Sequence, residues 1–521
     1  MAGYLRITLA CVSGLLLSAS FPSLAISYLA WIALVPLLLA LNSASFGSGF
    51  RLGFIAGIIH YLTLMYWLVP TMRTYGHLPL FLAIPLLFLL SAYMGGYVAL
   101  FSGILARFAK SPVIALAGAP FIWIALEYAR SNLFTGFPWE LLGHSQFNRL
   151  HLIQLCDIFG VYGLSGLILF SNVTVALLLL SITRKSWNRI RITNAVPYAG
   201  IGFLIFFLSA SWLYGRLYIR KMDHLASIAP YTNISVIQGN IEQAIKWDPA
   251  FQVGSVQKYI DLSLLTQNDQ PDLIVWPETA VPFYLFYDIP ISERVLKGIK
   301  EIKGDFLIGS PYFTRKKEEV GYYNSAFLIG SDGRVYGRYD KAHLVPYGEY
   351  VPLREWFPFI GKMVENFGDF QAGTAGAVIE WRNTKVGPLI CYEVIFPYLS
   401  RKMVQNGASF LVNITNDAWY GKTSAPEQHF SIAVFRAVEN RRALVRSANT
   451  GVSGFIDPCG RILAETPIFE EAVMTKRIAL MTQISIYTRF GDWFPKGCVA
   501  FVLLGGCIGL TNWIYGKKKR S

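Results

Sequence analysis

Apolar positions along the chain fall into two patterns. Before residue 220 they form long uninterrupted stretches, and one more such stretch follows residue 490. A helix needs about 20 consecutive apolar residues to cross the hydrocarbon core of a bilayer. The pattern therefore predicts seven transmembrane helices in residues 1–220 and an eighth in 491–521. The predicted spans are 5–22, 24–42, 53–71, 79–106, 112–129, 159–182, 195–215 and 494–515.

Residues 221–490 show a different pattern, in which short apolar runs alternate with amphipathic stretches. Runs such as "NISVIQGN", "DLIVWPE", "DFLIGSP", "SAFLIG" and "ASFLVNITN" predict buried strands. The amphipathic stretches predict helices at 251–266, 291–301, 394–405 and 426–441. Strands that alternate with helices indicate a globular α/β domain. We therefore predict an α/β domain inserted between membrane helices.

Composition supports a membrane protein. Of the 521 residues, 54% are hydrophobic and 15% are charged, and the mean hydropathy is +0.42. Soluble domains carry roughly 25% charged residues. The six cysteines are scattered and no CxxC spacing occurs, so a disulfide framework or a zinc site is not indicated. We expect no metal and no cofactor.

Basic residues near the span ends predict the orientation. If the N-terminus is cytoplasmic, the cytoplasmic segments hold twelve Lys and Arg, four of them in the tail 517–520, and the opposite segments hold at most eight. Such a bias favours this orientation. The α/β domain then lies outside, which in a bacterium is the periplasmic side of the inner membrane. A cleaved signal peptide in the first span is the alternative, and it leaves the domain outside as well.

Three stretches of the α/β domain carry candidate chemistry: "DLIVWPETAVP" with Glu278, "GRYDKAHLVPYGEYVP" with Lys341 and Glu349, and "GPLICYEVIFP" with Cys391 and Glu393. Each residue alone has an ordinary explanation: Glu278 as a solvated cap, Lys341 as a surface residue, Cys391 as a small core side chain.

Together, these residues suit nucleophilic catalysis. Cys391 provides a thiol, Glu278 a general base and Lys341 a donor to an oxyanion. We expect Cys391 to lie at a helix N-terminus that lowers its pKa.

The motifs "WPE", "YDK.HLVP.GEY" and "CYE" resemble the carbon–nitrogen hydrolase (nitrilase) superfamily, which uses a Glu–Lys–Cys triad on an αββα sandwich. With its membrane spans, the whole chain resembles the apolipoprotein N-acyltransferase family. Members of that family transfer an acyl chain from a membrane phospholipid to the α-amine of a diacylglyceryl-modified N-terminal cysteine. The supporting stretches are "QGNIEQAIKWDP", "TGFPWELLGHSQ", "NITNDAWYG", "SANTGVSGFIDPCGRI" and "YTRFGDWF".

The resemblance implies a role for each matching position. Glu278 would be the base, Lys341 the oxyanion stabiliser and Cys391 the nucleophile. Glu349 would hold Lys341 or the base, and Tyr392 and Glu393 would shape the acyl and amine sites. Trp247 and Trp419 would line the path of the lipid or the peptide, although packed core aromatics are an equal alternative. The implied partners are the bilayer, a phospholipid acyl donor and an apolipoprotein acceptor.

Two apolar segments suit contact with lipid. Residues 281–290 follow Glu278, and residues 353–370 combine Trp356, Phe357 and Phe359 with charges. We expect the second segment to be an interfacial arm or lid, the alternative being a loop packed in the domain.

Two other functions stay open at this point. A membrane-anchored amidase would share the triad but would not need eight spans. A transporter with an outer binding domain is disfavoured because the spans hold few charges. Nucleic-acid binding has little support, since basic residues cluster at membrane edges. We expect a monomer.

Overall fold

The structure is a computed structural model that describes residues 2–244, 246–316, 319–351 and 369–518. It divides into two compact units. Unit 1 comprises Met1–Val69, Leu80–Leu217 and Phe490–Ser521, and unit 2 comprises Pro70–Pro79 and Tyr218–Arg489.

The α-helices of the described residues are, in chain order, α1 Gly3–Ala19, α2 Val35–Leu41, α3 Phe46–Leu64, α4 Leu68–Thr74, α5 Leu80–Phe108, α6 Pro112–Asn132, α7 Leu150–Ile153, α8 Cys156–Phe159, α9 Val161–Ile182, α10 Ala195–Ile228, α11 Pro249–Leu264, α12 Ile289–Ile302, α13 Pro397–Gln405, α14 Ala425–Asn440, α15 Ile486–Phe490 and α16 Trp493–Lys518. The strands are β1 Ser186–Trp187, β2 Ile190–Arg191, β3 Tyr231–Gln238, β4 Leu273–Val275, β5 Asp305–Lys316, β6 Glu319–Ile329, β7 Val335–Asp340, β8 Ile379–Trp381, β9 Thr384–Ile390, β10 Phe410–Thr415, β11 Ala443–Ala448, β12 Gly454–Ile456, β13 Ile462–Glu465 and β14 Ala472–Ala479.

Unit 1 is mainly helical, as the long apolar stretches predict. Among the described residues, four helices are long and apolar enough to cross a membrane, namely α5, α6, α9 and α10. A fifth span results if α3 and α4, which are bent by 52° relative to each other, are counted as one. The other predicted spans correspond to shorter apolar helices, including α1 and Trp493–Cys507. The count of eight spans therefore stays a prediction.

Charged side chains inside unit 1 join its helices. Glu127 and Arg130 lie on α6 and are buried. The Oε1 atom of Glu127 accepts a hydrogen bond from the backbone N–H of Leu142 at 2.7 Å, and Arg130 donates to the hydroxyl of Tyr61 on α3 at 2.5 Å. Because a charge inside an apolar helix bundle is costly, such contacts hold α6 in one position against its neighbours.

Unit 2 is a sandwich of two six-stranded sheets within the part of the chain that the structure describes. One sheet has the order β14-β3-β4-β5-β6-β7, and the other has the order β13-β12-β11-β10-β9-β8. In each sheet three strands are parallel, β3-β4-β5 and β9-β10-β11, and the outer pairs are antiparallel. Ser447 of β11 joins the sheets, because its hydroxyl lies 3.1 Å from the carbonyl oxygens of both Ile237 and Val275.

Helices cover the outer face of each sheet. Helices α11 and α12 pack on β3–β6 through a buried cluster that includes Tyr259, Ile260, Trp276 and Val295. Helices α13 and α14 pack on β9 and β11, and every residue of α14 except Glu427 is buried. The order helix, sheet, sheet, helix is the predicted αββα sandwich.

The segment Pro70–Pro79 lies between two apolar helices in the sequence but belongs to unit 2. The Thr71 hydroxyl donates to the carbonyl oxygen of Trp419 at 2.9 Å, and the Tyr75 hydroxyl donates to the carbonyl oxygen of Ala418 at 3.0 Å. The rings of Tyr75 and Trp419 meet edge to face at 4.8 Å. This segment thus holds the 3-10 helix Asp417–Tyr420.

Candidate active site

The three candidate triad residues each follow a strand of unit 2. Glu278 lies three residues after β4, Lys341 directly follows β7, and Cys391 directly follows β9. All three side chains are buried, with exposed fractions of 7%, 1% and 7%. Strand ends that meet at one edge bring side chains from distant parts of the chain together.

The carboxylate of Glu278 is held from two sides. Its Oε1 atom accepts from the Asn324 amide at 2.8 Å, and its Oε2 atom accepts from the backbone N–H of Asn416 at 3.0 Å. The same Oε1 atom lies 3.6 Å from Lys341 Nζ. Glu278 is therefore fixed beside Lys341 by donors to both of its oxygens.

Lys341 is paired with a second carboxylate as well. Its Nζ atom donates to Glu349 Oε1 at 2.9 Å, and Asn324 donates to the same oxygen at 3.0 Å. The other oxygen of Glu349 accepts from the backbone N–H of Val345 at 2.8 Å. The two carboxylates raise the pKa of Lys341 against the lowering effect of burial, so Lys341 stays positively charged.

Cys391 lies at a sharp turn of the backbone. Its φ angle is +53°, in the left-handed region that residues other than glycine seldom adopt. Such a conformation projects a side chain from a strand end and is characteristic of functional sites. Cys391 opens the 3-10 helix Cys391–Ile395 rather than an α-helix.

The expected lowering of the thiol pKa by a helix N-terminus is wrong. Burial is the largest influence and raises the pKa of Cys391, the charge of Glu278 raises it further, and the charge of Lys341 lowers it. A five-residue 3-10 helix offers little dipole to oppose the loss of hydration. At rest Cys391 is consequently a thiol rather than a thiolate.

Glu393 connects the turn of Cys391 to the loop that carries Lys341. Its Oε2 atom accepts from the backbone N–H of Ile390 at 2.7 Å. Its Oε1 atom accepts from the Tyr339 hydroxyl at 2.8 Å and from the backbone N–H groups of Ala342 at 2.7 Å and His343 at 3.0 Å. Both oxygens of Glu393 accept hydrogen bonds from protein donors. Glu393 therefore links the turn of Cys391 to the loop of Lys341.

The aromatic candidates have different surroundings. Tyr392 is buried against Phe396, with ring centroids 5.0 Å apart. Trp247 is half-buried beside the buried Lys246, and Trp419 is half-buried against Tyr75. Trp356, Phe357 and Phe359, and with them most of the predicted interfacial arm, lie outside the described residues.

Two features of the site escaped the sequence analysis. Lys246 is buried, and its Nζ atom donates to the carbonyl oxygen of Glu278 at 3.0 Å. A lysine in "AIKW" gives no local signal of burial. The other feature is a charged network behind Cys391, in which Asp417 accepts from Arg446 at 2.8 Å and pairs with His429 at 3.0 Å. An arginine within the apolar run "ALVRSA" was a usable signal for this network.

One group of metal-ligand residue types occurs elsewhere in unit 2. Asp223, Asp457 and Cys459 lie together. Arg461 forms ion pairs with both carboxylates, at 2.6 Å and 2.9 Å. The guanidinium pairs with both carboxylates, so the group is an ion-pair cluster rather than an open cation site.

The geometry defines a class of enzyme site. A buried thiol, a fixed carboxylate and a charged lysine on an αββα sandwich can form and resolve a covalent acyl-enzyme. The family model that covers residues 233–486 is described as carbon–nitrogen hydrolase. A second model, described as the apolipoprotein N-acyltransferase N-terminal domain, covers residues 13–174.

Full-length relatives make the assignment specific. The apolipoprotein N-acyltransferase of Geobacter metallireducens is 43% identical, over 94% of this chain and 93% of its own. Those of Chlorobaculum tepidum and Methylococcus capsulatus are 30% and 32% identical, each over 98% of this chain and 96% of their own. The chain belongs to the apolipoprotein N-acyltransferase family. It is an enzyme of the membrane.

Proposed function

We propose that this protein transfers an acyl chain from a membrane phospholipid to the N-terminal α-amine of a diacylglyceryl-cysteine apolipoprotein, through a thioester on Cys391. The observation that carries the proposal is the convergence of Glu278, Lys341 and Cys391 in a chain of this family. The reaction completes the maturation of a lipoprotein.

The first half-reaction forms the acyl-enzyme. Glu278 removes the thiol proton while Cys391 Sγ attacks the ester carbonyl carbon of the phospholipid. Lys341 stabilises the oxyanion that develops on the carbonyl oxygen. The carbon–oxygen bond of the ester then breaks, and the departing lysophospholipid takes the proton from Glu278.

The second half-reaction forms the amide. The α-amine of the diacylglyceryl-cysteine attacks the thioester carbon, and Glu278 takes a proton from the attacking nitrogen. The carbon–sulfur bond breaks, and Glu278 returns that proton to Cys391. Burial of the site favours the amine over water, because exclusion of bulk water suppresses hydrolysis of the thioester.

The supporting residues act through the triad in this proposal. Glu349 orients Lys341, and Glu393 holds the Lys341 loop against the Cys391 turn. Tyr392 lines the acyl site, and Trp247 and Trp419 line the route of lipid or peptide. Trp356, Phe357 and Phe359 would contact the bilayer from the segment 353–370.

The proposed setting is the bacterial inner membrane. Residues 1–220 provide seven transmembrane helices, residues 221–490 form the periplasmic catalytic domain, and residues 491–521 provide the eighth helix and a basic cytoplasmic tail. The excess of Lys and Arg in the predicted cytoplasmic segments supports this orientation. We propose that the chain works as a monomer.

Intact-protein mass spectrometry tests the function. After incubation with a phospholipid of defined acyl length, we expect the protein to gain the mass of that acyl chain, and we expect no gain for Cys391→Ala. Addition of a diacylglyceryl-cysteine peptide should remove the acyl group and give the N-acylated peptide. If the protein accepted a short-chain amide as its only acyl donor, the result would favour an amidase. If the Cys391→Ala protein kept full activity, the result would favour a transporter.

A further inference from the structure

The backbone carbonyl of Cys391 has a partner in the neighbouring strand. Leu389 of β9 and Asn413 of β10 lie opposite each other in a parallel ladder. That ladder ends with the pair of Ile390 and Ile414, one residue before Cys391. The side chain of Asn413 reaches past this end, because its Nδ2 atom donates to the carbonyl oxygen of Leu389 at 3.0 Å and to that of Cys391 at 3.3 Å. One amide group thus ties the turn of Cys391 to the end of β9.

Arg446 of β11 determines which way the Asn413 amide faces. The two residues lie opposite each other in the ladder of β10 and β11. A guanidinium has N–H donors and no acceptor, so the Oδ1 atom of Asn413 faces Arg446 and accepts from its Nη1 atom. The Nδ2 atom then faces β9, where the two carbonyl oxygens can only accept. The groups on both sides therefore fix the amide in a single orientation.

Arg446 is itself held at its other nitrogen atoms. Its Nε atom donates to the carbonyl oxygen of Val452 at 3.1 Å, and its Nη2 atom donates to Asp417 Oδ2 at 2.8 Å. The other oxygen of Asp417 accepts from the Thr415 hydroxyl at 3.1 Å. Arg446, Asp417 and Asn413 are fully buried, so bulk water does not compete for these bonds. The charged network behind the candidate nucleophile therefore ends at the amide of Asn413.

The backbone conformation of Cys391 requires contacts of this kind. A φ angle of +53° is unfavourable for a residue with a Cβ atom, and it persists only where the surrounding structure over-determines the backbone. Contacts on both sides of Cys391 in the sequence do so. The N–H of Ile390 donates to Glu393, and the carbonyl of Cys391 accepts from Asn413. The direction in which the Sγ atom leaves the end of β9 depends on these contacts, because a rotated backbone would carry the Cβ atom with it.

We propose that Asn413 is a positioning residue of the acyl transfer, which holds the carbonyl of Cys391 and thereby fixes the direction of its sulfur atom. Arg446 orients Asn413 in turn. The proposal rests on the proposed role of Cys391 as nucleophile. It gives the charged network a task in the reaction, because the network acts on the nucleophile through one hydrogen bond to its backbone.

Nuclear magnetic resonance can observe the Cys391 carbonyl directly. Cys391 is the only cysteine that precedes a tyrosine in the sequence. Cysteine labelled with ¹³C at its carbonyl carbon and tyrosine labelled with ¹⁵N therefore give the full-length protein in detergent a single carbonyl–nitrogen correlation. In Asn413→Asp the carboxylate still accepts from Arg446 but has no N–H. We expect the carbonyl signal to move upfield, because the oxygen of Cys391 loses its hydrogen bond from residue 413.

Intact-protein mass spectrometry measures the effect on the reaction. We expect the rate constant of acyl-enzyme formation in Asn413→Asp to fall about tenfold or more, because a displaced reacting atom loses much of the benefit of orientation. The phospholipid concentration that gives half of the maximal rate should not change, since the lipid is bound as before. Partial unfolding would have a different effect. It would reduce the fraction of protein that becomes acylated and leave the rate constant of the folded fraction unchanged.

Two further variants complete the experiment. Asn440→Asp changes another fully buried asparagine, whose amide donates to the carbonyl oxygen of Arg436 in α14 at 3.0 Å. It should keep the wild-type carbonyl signal and the wild-type rate constant. Asn413→Ser is smaller and uncharged, and it takes the place of Asn413→Asp if that variant does not fold. Its hydroxyl is too short to bridge the two carbonyl oxygens, so we expect the same changes.

Other outcomes would overturn the proposal. A wild-type carbonyl signal in Asn413→Asp would show that Asn413 does not hold Cys391. A wild-type rate constant in that variant would show that Asn413 serves only as a partner of Arg446. An equal loss of rate in Asn440→Asp would show a general effect of losing a buried amide. Failure of the proposed function is distinguishable, because wild type would then form no acyl adduct from phospholipid, while the carbonyl signals would still report the bond from Asn413.

Discussion

Single residues in unit 2 are constrained by how closely the backbone approaches the site. Gly309 of β5 is an example, because a Cβ atom there would lie 2.5 Å from the Pro277 carbonyl oxygen and 2.8 Å from the Cα atom of Glu278. All of the atoms that it would meet belong to the backbone that carries Glu278. Only glycine allows β5 to support the candidate base at this distance.

We therefore expect Gly309→Ala to displace Glu278. Overpacking of this kind costs about 1–3 kcal/mol of stability, and formation of the acyl-enzyme should slow by more than the melting temperature alone explains. Gly254→Ala is the matched control, since no atom lies within 4 Å of a Cβ there. In helix α11 this change should stabilise by about 0.5–1 kcal/mol. Equal acylation rates for the two variants would contradict the role of Gly309.

His343 provides a second test at this scale. Its ring lies 3.7 Å from that of Phe396, and burial and the charge of Lys341 lower its pKa to about 4. The unfolded chain, in which histidine has its ordinary pKa, then binds the extra proton first. Stability should therefore fall as the pH drops from about 6.5 towards 4, by about 2 kcal/mol at pH 5.

The measurement compares thermal unfolding at pH 7 and pH 5. His343→Asn should lose less stability over this interval than wild type, while His224→Asn, which changes an exposed residue of α10, should behave as wild type does. An identical pH dependence for His343→Asn and wild type would show that His343 is not the group concerned.

At the scale of elements, α14, β11 and the two residues between them bury an unusual set of arginines. Arg436, Arg441, Arg442 and Arg446 are all among the largest fully buried side chains. Most of their bonds go to backbone carbonyl oxygens, including those of Ile395, Pro458 and Ala408. Such bonds satisfy carbonyl groups at the ends of helices and strands, which no local sequence pattern would provide.

Arg446 should contribute most, because it is the counter-ion of the buried Asp417. Arg446→Met removes the cation from that carboxylate and leaves it the contact with His429, and we expect a loss of about 3–5 kcal/mol. Arg477→Met in β14 is the control, since Arg477 is exposed and only covers the ring of Tyr231. Thermal unfolding in detergent, followed by tryptophan fluorescence, compares the two. A similar small loss for both would contradict the importance of the buried pair.

Elements with a strong local pattern were predictable, and those defined by distant contacts were not. The run "ASFLVNITN" predicted β10, and the stretch 426–441 predicted α14 almost to the residue. The strand β14 escaped because its first six residues are half-buried or exposed and because it pairs with β3, far away in the sequence. The positions of the candidate residues Glu278, Lys341 and Cys391 at strand ends could be predicted from motifs, whereas Lys246 reaches the backbone of Glu278 only through a tertiary contact.

For the whole molecule, the division into two units does not follow the sequence. Pro70–Pro79 lies among apolar helices, yet it contacts the 3-10 helix Asp417–Tyr420. That helix carries Asp417 of the buried network and Tyr420, whose pKa is raised chiefly by burial. Order in the segment 70–79 is thus connected to order near Cys391.

We expect Tyr75→Ala to loosen residues 416–421. Hydrogen exchange of their amides should become about fivefold to thirtyfold faster, because the removed ring contact and hydrogen bond together contribute about 1–2 kcal/mol. Formation of the acyl-enzyme should slow at the same time. Tyr198→Ala, at an exposed position of unit 1, should change neither quantity. Unaltered exchange in Tyr75→Ala would show that the segment does not support the site.

The membership of residues 70–79 in unit 2 has a practical consequence for anyone who wishes to study catalysis in water. A soluble fragment cut at 218 and 489 would carry every triad residue but would leave the Trp419 ring and two carbonyl oxygens bare. Such a fragment should recover native-like behaviour only when a peptide containing Thr71 and Tyr75 is supplied or grafted to it. Screening of inhibitors against the trimmed fragment alone would therefore use a protein that lacks the contacts of Thr71 and Tyr75 with the 3-10 helix Asp417–Tyr420.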